Sequence, residues 1–500
     1  MSTGKNIISG LAWGQIGMSG RTLITFLISI IVARVLGVEN YGLYAVLISL
    51  VELMIKTTDM GIYATLTTYI PRLLHSSHPG EGSFVVRRTL LGRNLLLLVV
   101  AAVFVRFSSP FTVWMGAPDI DQYLTVTALL FLVRGFMDGF VFIVIARVEM
   151  KYYSSVEIGV SILQLLGVFF LVATGLDVGK LVMLMVLVNG TQCLFYGIRS
   201  LPLLKPKPIA TPMAKIWKFG LTTWFGNILQ YFRFKSIDVL MLLYFLHDKK
   251  AVAHYEIAYL LVVYGGRFFA TALDRLAMTL LSQAQARHGL KGMGETWTFL
   301  TKLSIVLTVP VFVFLIAHAS SIIDAVYSEA FAPAAPLMVL LSILSLASVC
   351  LAQGTSYELL FPLGKEKVFV VLSAFNGVLN IGSAFILIPL IGAPGVVIAT
   401  GGSALVTDMI ALAVALKALQ IRFPRGFVLQ ILLITAAAVS WTLLLGKMTL
   451  LKLIAAALLY GVMVIGLTLR FHRFSHYEKA TLRGFRPQVF DRLVKYGLLR

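Results

Sequence analysis

The sequence has few of the residues on which soluble enzymes and disulfide-rich proteins depend. Of its 500 residues, 13% are charged and only two are cysteine. Cys193 and Cys350 both fall in apolar runs without a pairing pattern, so we expect buried, inert thiols. His472 and His476 have an i, i+4 spacing, but their place at the end of an apolar run favours an interfacial role over a metal site.

Motifs for hydrolytic or ATP-driven chemistry are also absent. The sequence contains no Walker A lysine loop, no HExxH zinc motif and no GxSxG nucleophile elbow. No polar stretch is long enough to form a soluble domain that hydrolyses ATP. We therefore expect no catalytic residue, no cofactor and no enzymatic activity.

Hydrophobic residues, in contrast, make up 59% of the chain, and the mean hydropathy is +0.91. Apolar runs near the roughly 20 residues needed to cross a bilayer recur along the whole length. They lack the alternation of barrel strands. The sequence predicts an all-α polytopic membrane protein with about 14 transmembrane helices: 11–35, 42–66, 88–106, 123–146, 156–175, 178–198, 216–246, 252–282, 300–318, 335–359, 368–389, 394–417, 427–446 and 449–469.

Lysine and arginine concentrate in every second turn between these spans. The intervening turns, such as "GLDVG" and "IGAPG", nearly lack them. By the positive-inside rule both termini are cytoplasmic. The net charge of +20 reflects mostly this bias, so nucleic acid is not an expected partner. The basic tail, residues 471–500, fits either an amphipathic segment on an anionic leaflet or a solvated tail.

A weak internal repeat organises the spans. "GLAWGQIG" from Gly10 resembles "GLTTWFGNILQ" from Gly220, where a six-plus-six duplication places its second copy. This predicts two six-helix lobes, followed by two C-terminal helices. The expected divisions are an N-lobe at 1–198, a cytoplasmic linker at 199–218, a C-lobe at 219–418, helices 13 and 14 at 419–470, and the tail at 471–500.

Charged residues inside the spans are the candidate functional residues, because a charge in hydrocarbon usually faces a cavity or a partner. Spans one, two, seven and eight occupy matching places in the two repeats and carry most of these charges. The cations predicted to bind an anionic substrate are Arg21, Lys56, Arg233, Lys235 and Arg267. The carboxyl groups that are candidates for coupling to a proton or Na⁺ are Asp59, Asp238, Glu256 and Asp274.

Spacing separates these residues into two groups. Lys56 with Asp59, Arg134 with Asp138, and Lys235 with Asp238 have i, i+3 or i, i+4 spacing, so each pair could only neutralise itself. Arg21, Arg233 and Arg267 lack such a partner in their own helix, which favours a cavity role. Arginine suits a phosphate because its planar fork donates two parallel hydrogen bonds. The carboxyl groups either titrate during transport or only pair with the cations.

Several longer motifs resemble one known family. They include "LISIIVARVLGVENYGLYAVLISL", "DMGIYATLTTYIPRL", "YSEAFAPAAPLMVLLSIL" and "LIPLIGAPGVVIATGGSALV". They are similar to the polysaccharide-biosynthesis branch of the multidrug/oligosaccharidyl-lipid/polysaccharide (MOP) exporter superfamily, which includes Wzx-type O-antigen flippases. The match covers about the first 420 residues, and Gly37, Gly42 and the turn at 389–395 agree as structural positions.

The resemblance implies two six-helix lobes around a central cavity and alternating access. It also implies an undecaprenyl-diphosphate-linked oligosaccharide as cargo, carried across the bacterial cytoplasmic membrane. Membrane lipids, and a polysaccharide polymerase or glycosyltransferases, are the further partners it implies. The alternatives are a lipid II flippase or a drug or cation exporter of the same superfamily. A membrane glycan polymerase or ligase is a rival of another class, and a scaffold without unpaired buried charge is a third.

Overall fold

The structure is a computed structural model that describes residues 2–74, 79–231, 235–266, 268–446, 448–472 and 479. For residues 2–16, 18, 72, 74, 79, 226–231, 268–272 and 274–276 it describes the backbone only. The described part of the chain contains helices and turns but no strand. It forms two compact units, Met1–Glu256 and Ile257–Arg500.

Within the described residues, the first unit contains ten α-helices. Of these, α1 packs against α6 and α9, and α5 packs against α3 and α7. Residues of α2, α3 and α5, including Ile62, Leu66 and Leu90, form one of its apolar cores. The helices are α1 (Ser2–Thr57), α2 (Ile62–Leu74), α3 (Pro79–Arg106), α4 (Ser108–Trp114), α5 (Asp121–Ala146), α6 (Met150–Thr174), α7 (Val178–Leu204), α8 (Ala214–Tyr231), α9 (Lys235–Leu246) and α10 (Lys249–Leu260), whose last turn extends past the unit boundary.

The second unit begins with the last turn of α10 and continues with a π-helical turn, Leu261–Gly266, and eight described helices. α15 packs against α16, and α17 packs against α18 and α11. The helices are α11 (Phe268–Ala317), α12 (Ala319–Val326), α13 (Ala334–Cys350), α14 (Gln353–Leu359), α15 (Glu366–Ile391), α16 (Ala393–Leu419), α17 (Arg425–Leu443) and α18 (Leu450–Phe471).

Glycine interrupts the two longest helices. Gly37 in α1 has φ 73° and ψ 173°, and Gly289 in α11 has φ 63° and ψ −156°. This region of backbone conformation is essentially restricted to glycine. Leu281, before Gly289, and Trp297, after it, belong to one apolar core. Each long helix is therefore two helical segments joined at a glycine.

Ten helices of the described residues are long and apolar enough to cross a membrane, or eleven if the pair α13 and α14, bent by 45°, forms one span. The prediction of an all-helical, multi-pass membrane protein is confirmed, but the count of 14 spans is not. Two candidate spans, Ser19–Thr57 and Ala277–Ala317, have 39 and 41 residues and contain the glycine breaks. At about 1.5 Å per residue each is far longer than the roughly 30 Å of one crossing.

The predicted linker at 199–218 is only partly irregular. Its first residues belong to α7 and its last to α8, which leaves 205–213 between them. The Ile209 backbone N–H donates to the Gly80 carbonyl at 3.0 Å, and Arg87 donates to the Leu204 carbonyl. The linker is thus bound to the start of α3. The repeat-based lobes remain a prediction, and most of the predicted tail lies outside the described residues.

Candidate functional site

Arg21 lies in α1 and forms an ion pair with Glu157 of α6. The two side chains differ sharply in exposure: 48% of Arg21 is accessible but only 3% of Glu157. The sequence analysis found no partner for Arg21 within its own helix, and the structure places one on another helix. Arg21 therefore presents an accessible cation in front of a buried carboxylate.

Two residues of α7 complete the environment of Glu157. Gln192 Nε2 donates to Glu157 Oε1 at 3.1 Å, and the Tyr196 hydroxyl donates to the same oxygen at 2.8 Å. Gln192 and Tyr196 are themselves buried. A buried carboxylate is costly unless it is paired and hydrogen-bonded, and here three donors from two helices meet that need.

A second charged group joins α1, α3 and α5. Asp138 of α5 lies in the electrostatic field of Arg134, Arg93, Lys56 and Arg21. Arg93 is almost fully buried; it donates to the Gly135 carbonyl, and its Nη2 lies 3.7 Å from Asp138 Oδ2. Asp138 thus interacts electrostatically with Arg134 of its own helix and with Arg93 of a different helix.

Lys56 and Asp59 belong to this group as well. Lys56 is exposed near the end of α1, and Asp59 follows it in the turn before α2. Lys56 and Arg93 both act electrostatically on Asp59. The three residues therefore extend the charged group from α5 to the break between α1 and α2.

A third group connects α1 with α9 and α10. Lys235 Nζ lies 2.5 Å from Glu256 Oε1, and the Ser236 hydroxyl donates to Glu52 Oε2 at 2.7 Å. Glu52 lies in the field of Lys235, Arg134 and Lys56, which connects this group to the previous one. The structure therefore brings Lys56, Lys235 and Glu256, all predicted from the sequence, into one charged network.

Asp238, a predicted coupling residue, is fully buried in α9. Its Oδ2 accepts a hydrogen bond of 2.7 Å from the Tyr255 hydroxyl of α10. Of the remaining predicted residues, Arg233 and Arg267 lie outside the described residues. Asp274 lies in α11, where the structure describes its backbone only.

The sequence analysis missed three members of the network: Glu52, Arg93 and Glu157. Each carried the signal that identified Arg21, a charge inside a predicted span. Their contacts are long-range, since Arg21 and Glu157 are 136 positions apart. No rule of helix spacing connects such positions.

The arrangement offers accessible positive charge to an anion. Within the described residues, no group of three or more His, Cys, Asp or Glu side chains could hold a metal ion. Each described cation of the network has a carboxylate nearby, so the network is not simply basic. Arg21 and Lys56 are nevertheless exposed, whereas Glu157, Asp238 and Glu256 are buried. The accessible charge at those positions is positive.

The sequence profile of one family, described as polysaccharide biosynthesis protein, matches residues 8–285. This range covers more than half of the chain and contains all three charged groups. No curated protein matches the sequence significantly.

Solved structures share the fold at low sequence identity. The lipid II flippase MurJ in an inward closed conformation has a TM-score of 0.75 and 15% identity, over 91% of this chain and 98% of that one. A multidrug resistance MATE family transporter of the MOP superfamily, inward-facing, has a TM-score of 0.67 and 15% identity, over 81% and 98%. A MOP superfamily transporter from Pyrococcus furiosus has a TM-score of 0.59 and 16% identity, over 84% and 97%.

Proposed function

The chain belongs to the polysaccharide biosynthesis protein family, and we propose that it translocates an undecaprenyl-diphosphate-linked oligosaccharide across the cytoplasmic membrane by alternating access. The fold it shares with the flippase MurJ and with MATE transporters supports a transport function. The cargo would be the repeat unit of an O-antigen or another surface polysaccharide.

The observation that carries the proposal is the exposed guanidinium of Arg21 within a helix of a multi-pass membrane protein. A diphosphate headgroup needs cationic donors at membrane depth, and arginine stays charged there and binds phosphate oxygens in pairs. Lys56 and Lys235 would add charge to the same region of the first unit. Arg233 and Arg267 are proposed as further ligands from their sequence positions alone.

Coupling to an ion is proposed for the carboxyl groups of the network. Asp238 and Glu256 are buried beside groups that could exchange partners, Tyr255 and Lys235. Such a carboxyl group can take up a proton or Na⁺ in one state and release it in another. Asp59 and Asp274 remain candidates for the same role.

The proposed location is the bacterial inner membrane, with both termini in the cytoplasm. The alternation of basic and uncharged turns supports this orientation. Proposed partners are the lipid-linked glycan, the surrounding lipids, and the polymerase or glycosyltransferases that use the same glycan.

Flipping of a fluorescent undecaprenyl-diphosphate oligosaccharide in proteoliposomes tests the function. We expect Arg21→Gln to abolish flipping while the variant still inserts and folds. Arg106→Gln, which changes an exposed arginine at the end of α3, should flip normally and serves as the control. Wild-type protein that moves lipid II but not the oligosaccharide lipid would favour the lipid II alternative, and no movement of either would reject the proposal.

A further inference from the structure

We infer that Glu157 is a positioning residue, which holds Arg21 by one guanidinium nitrogen so that the rest of the fork is directed at the diphosphate of the cargo. This inference rests on the proposed function, because it assigns a second residue to the same site. Glu157 itself touches no cargo in this scheme and acts only through Arg21.

The first argument is the immobility of Glu157. Its carboxylate is buried, and Gln192 and Tyr196 bind Oε1 while Arg21 binds Oε2. The two α7 donors would keep their oxygen even if Arg21 moved away. An ion pair that served only to join two helices would need neither burial nor two additional donors, so the carboxylate is built as a fixed anchor.

The second argument is the free part of Arg21. Its bond to Glu157 uses Nη1, and no other hydrogen bond of the guanidinium is found within the described part of the chain. Arginine has five N–H donors in one plane, so Nε and Nη2 can bind two oxygens of a phosphate side by side. The exposure of Arg21, 48%, leaves room for that ligand.

The third argument is the fixed spacing of the two backbones. Gly17 lies one helical turn before Arg21, and a Cβ added there would lie only 2.6 Å from the Ser154 side chain. Such close packing of α1 on α6 sets the distance from the Arg21 backbone to Glu157. Arg21 is thus held at its base by packing and at Nη1 by charge, and a side chain ordered in advance binds a ligand with a smaller loss of entropy.

Binding of undecaprenyl diphosphate and of uncharged undecaprenol to the full-length protein in nanodiscs tests the inference. Glu157→Gln keeps the shape of the side chain and removes the charge. We expect it to weaken diphosphate binding about tenfold, which corresponds to the loss of roughly one charge-assisted hydrogen bond. Undecaprenol binding and the thermal midpoint should not change. Glu149→Gln is the matched control, since Glu149 lies just before α6 begins and pairs with Arg147 and Arg199 rather than with Arg21.

The double variant Arg21→Gln/Glu157→Gln separates positioning from stability. If Glu157 acts through Arg21, adding its substitution to Arg21→Gln should cause no further loss of diphosphate affinity. Weaker binding of both lipids with a lower thermal midpoint would overturn the inference in favour of a structural tether. Unchanged or tighter diphosphate binding by Glu157→Gln alone would also overturn it while leaving the proposed function intact. A wild type that does not prefer diphosphate over undecaprenol would reject both.

Discussion

At the scale of single residues, the buried Arg93 shows how the charged network is held. The side chain is 1% exposed, and its contacts are the Gly135 carbonyl and, at 3.7 Å, Asp138. A buried ion pair contributes little net stability, because the cost of desolvating both charges offsets their attraction. Removal of one member nevertheless leaves the other charge buried and uncompensated. Arg93 and Asp138 should therefore behave as a unit.

Arg93→Met is expected to destabilise the protein by roughly 3 kcal/mol, because it leaves Asp138 with less compensation. The double variant Arg93→Met/Asp138→Asn should recover part of that loss. Thermal unfolding in detergent, followed by intrinsic fluorescence, gives the comparison. Arg88→Met on the same helix is the control, since Arg88 is exposed over the Phe84 ring. A double variant no more stable than the single one would show that the two residues are independent.

The sequence was sufficient to identify Arg21, Lys56, Lys235 and Glu256, because a charged residue in an apolar run can be recognised without a structure. It did not identify Glu157 and Glu52 as members of the network. Glu157 belongs to a helix distant in the chain, and Glu52 meets Ser236 across 184 positions. Side-chain partners of this kind depend on which helices pack together, and neither hydropathy nor helix spacing contains that information.

At the scale of helices, the apolar pattern located most spans well. The predicted spans 368–389 and 394–417 correspond to α15 (Glu366–Ile391) and α16 (Ala393–Leu419). The predicted span 252–282 was less accurate, because the π-helical turn Leu261–Gly266 interrupts it. The predicted span 216–246 includes residues 232–234, which lie outside the described part of the chain. Hydropathy measures apolar content and carries no information on where the backbone hydrogen-bonding pattern changes.

Gly37→Ala should destabilise the protein by roughly 1–3 kcal/mol, because alanine is strained at φ 73° and ψ 173°. Space is not the cause, since an added Cβ would meet nothing within 4 Å. Gly461→Ala in α18 is the matched control: it also has open space but lies inside a regular helix, where alanine is favoured. Comparable thermal midpoints for the two variants would contradict the strain argument.

At the scale of the whole molecule, the sequence predicted the membrane class and the family, whereas the lobes and the topology still require experiments. Topology can be tested with single cysteines and an impermeant thiol reagent on intact cells. A cysteine at Ala210, in the linker, should stay unlabelled because the linker is predicted to be cytoplasmic. A cysteine at Lys180, exposed at the start of α7, should be labelled. The reverse pattern would invert the predicted orientation.

The turns predicted to lie outside are joined by Lys249. Its Nζ lies 2.5 Å from Asp119 and 3.6 Å from Glu39. It therefore joins the start of α10 to the 3-10 turn before α5 and to α1 just after the break at Gly37. We expect Lys249→Glu to open this contact, because it replaces attraction by repulsion among three carboxylates.

Spin labels at positions 38 and 250 measure this opening. The distribution of distances between the two labels should shift to longer values in Lys249→Glu than in the wild type. Lys180→Glu disrupts an exposed pair within a single turn, Asp177 with Lys180, and should leave the distribution unchanged. Identical distributions for wild type and Lys249→Glu would show that this contact does not hold the turns together.

The hydrogen bond between Ile209 and Gly80 also limits how far the two sides of the linker can separate. Beyond Ile209 only residues 210–213 precede α8 at Ala214. Five fully extended steps reach at most about 17 Å. While that bond is intact, the start of α8 therefore stays close to the start of α3. Residues inserted at 210–213 would let the start of α8 move farther from α3 without changing any charged residue of the site.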